Sequence, residues 1–261
     1  MIQLKFLALI VFLTMGSVCF AESGLPWTSD FETGNTSEWN GFGSVGITDQ
    51  NCQSGTYCAM NPLVAGTFNG DNYREHFFGD YSTVNLDKVD EVYLEFHSKI
   101  DPGYELTGRL EHKLAIINLT DETRQRRYQV YIAIFPGTLN YGIVHSYIDS
   151  WRFFGLDQNA VTTPVALRLG QWDKLKLYVK LNTPNVSDGI VQFWVNNQLV
   201  IDHSGLNLRE ATNYSMNKLI LTSYTTGMNS SNGMQYWDNW RLYEPTADSV
   251  APSPPVIDSI N

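Results

Sequence analysis

Basic residues are scarce in this chain: 17 lysines and arginines stand against 27 aspartates and glutamates, for a formal net charge of −10. Nucleic acid is bound chiefly by neutralising phosphates with those side chains, so the balance argues against a nucleic-acid partner. Cysteine is rarer, at three residues, and no second pair matches Cys52 and Cys58 in the way a structural zinc site requires. Past residue 21 no apolar run approaches the ~20 residues of a membrane-spanning helix, so no membrane insertion of the mature chain is expected. No segment sustains a helical period, and no fixed-length repeat signals a solenoid or propeller. Also missing are a G-x-S-x-G elbow, an H-E-x-x-H metal pair and a phosphate-cradling glycine loop. No organic cofactor is expected.

The first 21 residues, "MIQLKFLALIVFLTMGSVCFA", carry one lysine and an apolar run from Phe6 to Leu13, which reads as a secretory signal cleaved near Ala21. The mature chain is therefore expected to be secreted, either periplasmic or extracellular. In that oxidising setting the tight "CQSGTYC" favours a Cys52–Cys58 disulfide. Beyond Glu244, Pro252, Pro254 and Pro255 in a stretch poor in apolar residues indicate a disordered tail or linker over 245–261. The folded unit should run from 27 to 244. The basic "RQRR", Arg124 to Arg127, reads as a solvated loop. Five N-x-S/T sequons, at Asn35, Asn118, Asn185, Asn213 and Asn229, matter only in a eukaryotic secretory pathway.

Strand-like alternation with turn punctuation recurs along the rest of the chain. In "DKLKLYVKL", Leu175, Leu177, Val179 and Leu181 alternate with Lys174, Lys176, Tyr178 and Lys180; in "IVQFWVN", Val191, Phe193 and Val195 alternate with Gln192, Trp194 and Asn196. "NTPNVSDG" between them is turn chemistry, and Asn196-Asn197 suits a tight hairpin that needs the left-handed conformation. At least six further runs share this period, among them "EVYLEFHSKI", "RRYQVYIAIF", "YGIVHSYI" and "YWDNWRLYE". Their number predicts an all-β fold, an antiparallel two-sheet β-sandwich. An opening strand near "DFETGNTSEW" should pair with the closing "YWDNWRLYE".

That opening "DFETG…W" and closing "DN" strand resemble the concanavalin A-like carbohydrate-binding jelly rolls. "GQWDKLKLYVKLNTP…DGIVQFWVNNQLV" resembles the late hairpin of polysaccharide lyases of the alginate lyase (family 14) and glucuronan lyase (family 20) group. The resemblance implies a polysaccharide partner, uronate-containing, and cleavage by β-elimination. That reaction needs a group that neutralises the uronate carboxylate, a base for the C5 proton and an acid for the leaving oxygen. Lys113 in "GRLEHKLAII" matches the family's lysine strand, where alternation sets Arg109, Glu111 and Lys113 on one face. Where the family shows a serine-x-arginine strand and then paired tyrosines, this chain offers Gln129 and Tyr131, then His145 and Tyr147. The implied roles are carboxylate neutralisation by Lys113 and Gln129, Tyr131 or His145 as base, and Tyr147 as acid.

Substrate contacts are expected from Arg74 and His76, from Tyr93 and His97 on the polar side of their strand, and from Tyr178 and Trp194 as rings on which sugars stack. The carboxylates across a cleft that a glycoside hydrolase needs are not spaced here as E-x-D-x-x-E. Related jelly rolls often hold a structural calcium at the joined terminal strands, which makes Glu32 and Asp238 the candidate ligands. Two other readings stand beside the lyase: a non-catalytic carbohydrate-binding module, and a structural adhesion domain.

Overall fold

The structure is a computed structural model. It describes residues 23–41, 43–67, 72–79, 88–105, 111–121, 123, 125–147, 153–154, 163–225, 229 and 231–245, without the side chains of 146, 147, 153 and 154. The expected leader and all of the tail past Pro245 lie outside the described residues, as does Arg109.

The lysine-leucine alternation forms β10 (Asp173–Lys180), and the next run forms β11 (Gly189–Val195), paired antiparallel with Leu177 opposite Phe193. Their leucines, valines and Phe193 are buried while the lysines and Trp194 are turned the other way. The turn after β11 has Asn196 and Asn197 at φ 51° and 68°, as the sequence predicted, and leads into β12 (Gln198–Leu206). On its other side β10 pairs with β5 (Glu91–Ile100), which pairs in turn with β14 (Gly233–Tyr243). Then come β3 (Cys58–Leu63) and β2 (Gly46–Thr48), completing the order β12-β11-β10-β5-β14-β3-β2. The short β1 (Trp27–Ser29) joins this first sheet on β14, with Trp27 opposite Leu242. The opening and closing strands thus meet, although the opening strand ends before Phe31, whose φ of 61° breaks it.

The second sheet runs β4-β13-β6-β7-β8-β9: β4 (Tyr73–Phe77), β13 (Ser215–Thr222), β6 (His112–Thr120), β7 (Arg126–Ile134), β8 (Tyr141–Tyr147) and β9 (Phe153–Phe154). Every pairing in both sheets is antiparallel. Among the described residues there is no α-helix, and none long and apolar enough to cross a membrane. The inward faces enclose one apolar core. Leu94, Phe96, Leu177, Phe193 and Trp240 come from the first sheet, and Ile117, Val130, Ile132, Leu219 and Leu221 from the second. This is the antiparallel two-sheet sandwich the alternation predicted, in the jelly-roll form the resemblance implied.

Register shifts break strict alternation at several places, and two of them matter most for what the strands present. In β14 the register to β5 shifts between Asp238 and Arg241, with Asn239 at φ 53°, so Trp237, Trp240 and Leu242 all point inward. In β6 the register to β7 shifts between Lys113 and Ala115, which lets Lys113 and Ile116 share the outward face. A bulge inserts one residue and reverses the side-chain phase beyond it.

Candidate functional site

The outer face of the second sheet gathers ionisable groups. Residues paired across antiparallel strands point to the same face. Since Val130 and Ile132 enter the core, Gln129 and Tyr131 point outward, with Ile116 opposite Tyr131 and Asn118 opposite Gln129. Tyr131 is only 1% exposed there, inside a small apolar cluster with Ile116, Ala133 and Val144 against Phe135 and Ile220. These outward side chains are nonetheless buried, so this part of the face is covered rather than a wet sheet surface.

At one end of this covered patch Lys113 is the hub. Its ammonium stands 4.3 Å from the Tyr131 ring centre and 5.2 Å from that of Tyr224, and 3.4 Å from a Glu111 carboxylate oxygen. The Lys113 N–H donates to the Tyr224 carbonyl at 2.8 Å, which holds the segment after β13 beside the start of β6. The Tyr131 hydroxyl donates to Glu111 at 3.0 Å. Burial lowers the Lys113 pKa against the opposing pull of Glu111, and the charge of Arg126 lowers it further. Burial raises the phenol of Tyr131, and the Glu111 charge raises it again. Tyr131 is therefore held as a neutral proton donor, while at Lys113, whose ammonium faces the rings, Glu111 opposes the loss of charge that burial favours. Further along the face Gln129 donates to Asn118 at 3.0 Å.

His145 does not join this group. It lies opposite Val130, on the core side of β8, where its Nδ1 and the Tyr128 hydroxyl are hydrogen-bonded and the His203 ring is 6.3 Å away. Burial, aided by His203, pushes its imidazole down to about 4. Tyr147 pairs in register with Tyr128, and its side chain lies outside the described residues. The sequence sets His145 and Tyr147 on one face but does not reveal that Ser146, not they, stands opposite Gln129. A one-residue offset between neighbouring strands moves a whole set to the other side.

Arg74 and His76 also face inward, opposite Leu221 and Leu219. His76 stacks on Trp27 with ring centres 4.0 Å apart, neither imidazole nitrogen has a hydrogen-bond partner, and burial takes its pKa down to about 4. It is a packed ring, not half of a carboxylate clamp.

Tyr93, His97, Tyr178 and Trp194 fall on the outer face of the first sheet, across the sandwich from Lys113. Tyr93 stacks between Tyr178 at 4.6 Å and Tyr243 at 5.3 Å, and the Lys176 ammonium covers it at 4.4 Å. Glu95 ties Lys174 at 3.0 Å and accepts from Tyr243 at 2.5 Å, and Tyr178 donates to Glu91. Tyr93 and Tyr178 are consequently only 3% and 6% exposed, so neither ring offers a free stacking platform; Trp194 remains partly open. Burial and the charge of Lys174 lower the His97 pKa.

The Cys52–Cys58 disulfide is present, with Cα atoms 5.3 Å apart. The loop it closes is held by the two candidate metal ligands. Glu32 accepts the N–H groups of Thr56 and Tyr57, while Asp238 accepts those of Gln53, Ser54 and Asn239. Asp238 is fully buried, and its carboxyl is pushed up to about 6 by burial, with the Glu32 charge contributing. Two like charges facing one loop form an oxygen set of the hard type that calcium takes. Among the described residues no third carboxylate, histidine or cysteine joins them in a metal-binding group. Glu32 and Asp238 would thus hold the ion only with backbone or amide oxygens completing its shell, and its part would be to clamp the loop to β14.

Three members of the cluster were not singled out by sequence reasoning. Glu111 was placed on the Lys113 face, which accounts for that ion pair, but its partnership with Tyr131 comes from tertiary contact. Tyr224 has no local signal at all. Arg126, read as part of a solvated basic loop, stands exposed at the start of β7 within electrostatic reach of Lys113. Of the sequons, Asn118 and Asn229 are buried and hydrogen-bonded to Gln129 and Tyr104.

A jelly-roll sandwich with a lysine-tyrosine cluster on the outside of one sheet is the class that these observations define. Within it the chain resembles the alginate and glucuronan lyases. The family described as polysaccharide lyase 14 matches residues 163–238. Alginate lyase Aly36B superposes with a TM-score of 0.58 at 12% identity, covering 86% of this chain and 98% of its own. The family-14 alginate lyase of Aplysia kurodai gives 0.59 at 11% identity over 77% and 87%. The endo-β-1,4-glucuronan lyase of Trichoderma reesei gives 0.58 at 12% over 85% and 97%. No curated protein matches the sequence. At such identities the superpositions establish the fold, and the family match spans the β10–β11 hairpin rather than Lys113 or Tyr131.

Proposed function

We propose that this chain is a secreted, polysaccharide-active protein that takes a uronate-containing polymer on the outer face of its second sheet and cleaves it by β-elimination. The observation that carries the reading is Lys113, a cation seated between two tyrosine rings beside a protonated phenol. Elimination needs a positive group for the uronate carboxylate and a hydroxyl positioned to exchange protons at C5 and O4. Lys113 and the Gln129 amide serve the first need, with Arg126 as a further cation. Tyr131 serves the second. A double mutant of Aly36B has been seen in complex with an alginate trisaccharide, which supports assigning a uronan to this fold. Export is supported by the disulfide, a bond at home in oxidising compartments.

One observation favours a second reading: Lys113 is already ion-paired with Glu111, which fits a binding module that holds sugar without cleaving it. Incubation with alginate, glucuronan and other uronans, followed at 235 nm where the unsaturated product absorbs, separates the two. The lyase reading expects a rise that Lys113→Ala abolishes. No rise with any uronan, together with retardation in a polysaccharide affinity gel, establishes the module instead.

A further inference from the structure

The outer face of the first sheet, across the sandwich from Lys113, carries charge that elimination does not use. We propose that this face is a second binding surface, along which an acidic polysaccharide lies on β10 without being cut. The choice of a carboxylated sugar polymer rests on the uronan reading of the Lys113 side; the existence of the surface does not.

The chain has eight lysines, and four of them, Lys99, Lys174, Lys176 and Lys180, stand on this one face with Arg241 beside them. Residues directly opposite in antiparallel strands share a face, and the register sets Lys174, Lys176 and Lys180 opposite His97, Glu95 and Glu91, with Lys99 opposite Tyr236 and Arg241 opposite Glu95. In a chain of net charge −10 this is a local concentration of the opposite sign. Three of the five cations share two carboxylates: Lys174 and Lys176 meet Glu95 at 3.0 and 3.6 Å, and Lys180 meets Glu91 at 3.8 Å. The other two lie against rings, Lys99 at 5.2 Å from the centre of Tyr236 and Arg241 at 4.6 Å from that of Tyr243, and neither has an ion-pair partner among the described residues.

The carboxylates also lie deeper than the ammoniums. The Glu95 side chain is 18% exposed beneath lysines at 37% and 32%, and Glu91 is 34% exposed beside Lys180 at 45%. What meets the solvent is therefore positive. Asp202, also on this face, stands two strands from β10 and accepts from Gln192, while Asp238 is buried against the disulfide loop.

Rings decide what kind of anion fits. Lys176 stands 5.4 Å from the centre of Trp194, and Lys99 stands 5.9 Å from that of Trp172. Both indoles are half-buried, so each leaves part of its ring open beside an ammonium. A sugar acid brings an apolar C–H face for the indole and a carboxylate for the ammonium within one unit. From Trp172 to Lys180 the row spans roughly 27 Å at ~3.4 Å per residue, long enough for several sugar units. A polymer held here stays close to the Lys113 side of the same molecule, which raises the local concentration of substrate there.

The test uses the full chain carrying Lys113→Ala, which removes the cation of the other face and, on the lyase reading, cleavage. Lysines are acetylated with and without alginate, and modification at each is read by mass spectrometry. Alginate should protect Lys99, Lys174, Lys176 and Lys180. In alginate affinity gels Lys99→Gln/Arg241→Gln, which leaves no carboxylate without its partner, should weaken retardation about tenfold, in keeping with exposed ionic contacts. Trp194→Ala should weaken it by less, added salt should weaken it throughout, and melting temperatures should match that of the parent. Protection confined to Lys218, on the outer side of the second sheet, puts the polymer on the other face and overturns the proposal. Retardation that Lys99→Gln/Arg241→Gln leaves intact overturns it as well. A DNA duplex bound as tightly as alginate through the same residues overturns the sugar assignment. With Lys113 restored, the absence of any rise at 235 nm overturns the lyase reading and leaves this surface standing.

Discussion

Arg209 holds Asp90 through two N–H···O bonds of 2.6 and 3.1 Å, while its Nε donates to the Asn182 carbonyl at 2.7 Å. Asn182 is the centre of that knot. Its side-chain oxygen accepts the N–H groups of Leu208 and Arg209, and its amide donates to Thr183, Asn207 and Arg209. The "NTP" stretch therefore fastens the end of β10 to the strand after next and to the segment before β5. Its likeness to lyase hairpins is a likeness of framework.

Asn182→Ala leaves two buried N–H groups without acceptors, at roughly 1–3 kcal/mol each. A loss of about 3 kcal/mol in a urea titration is expected, with the elimination rate at 25 °C unchanged for the folded fraction. A variant as stable as wild type would show that water replaces the side chain.

Lys113 and His145 stand on opposite faces of one sheet, so their substitutions should differ in kind. Lys113→Ala should abolish elimination and shift the melting temperature by only a few degrees. His145→Gln should lower the melting temperature and keep kcat within about twofold, since a buried polar group affects folding rather than substrate. The two are compared by calorimetry and at 235 nm on the same preparations. A large kcat loss in His145→Gln would mean that the register of β8 to β7 is not the one described.

Stability should fall on mild acidification. Burial puts the imidazoles of His76, His112 and His145 down to about 4, below their ordinary 6.5. Between those values the unfolded chain binds protons that the folded chain does not. The stabilisation is complete above pH 6.5 and is lost as pH drops toward 4, at about 1.4 kcal/mol per pKa unit for each histidine. Asp238, raised to about 6, works in the opposite direction, against these histidines and His97, which burial also lowers. Urea midpoints at pH 7 and pH 4.5 check the sign, and replacing His76 with Phe should flatten the difference by its share.

Calcium is proposed as a clamp at Glu32 and Asp238, so millimolar calcium should raise the melting temperature and a chelator should lower it again. Asp238→Asn should remove that response. The readout is the thermal transition alone. Transitions that coincide with calcium, with chelator and in Asp238→Asn would leave the five backbone N–H groups as the whole of the clamp.

The alternation of Leu175, Leu177 and Val179 was enough to read β10, its buried face and its hairpin, because both neighbours of β10 are regular along its length. β12 was harder to see, since only Val200, Ile201 and Leu206 of its nine residues are buried. Within the site, Lys113 and the outward pairing of Gln129 with Tyr131 were legible. Three things were not. The bulge after Lys113 reverses phase without changing composition, and the register of β8 to β7 is set by a turn whose length does not declare which residues oppose. The contact of Glu111 with Tyr131 joins two neighbouring strands, and that of Tyr224 with Lys113 joins segments more than a hundred residues apart. Such contacts belong to topology, where local pattern carries no information.

The position of β5 between β10 and β14 has a consequence for synthesis. Its residues 91–100 leave the ribosome long before residues 233–243, the strand that must lie along one of its edges. Until then a nascent chain carries an open, hydrogen-bond-hungry edge with Leu94 and Phe96 on its apolar side, the kind of template on which chains aggregate. Closing it joins segments over a hundred residues apart, and pairing of that reach is slow. Truncations that remove β14 should therefore yield insoluble chains rather than smaller stable domains, even though every residue of the Lys113 cluster would still be present.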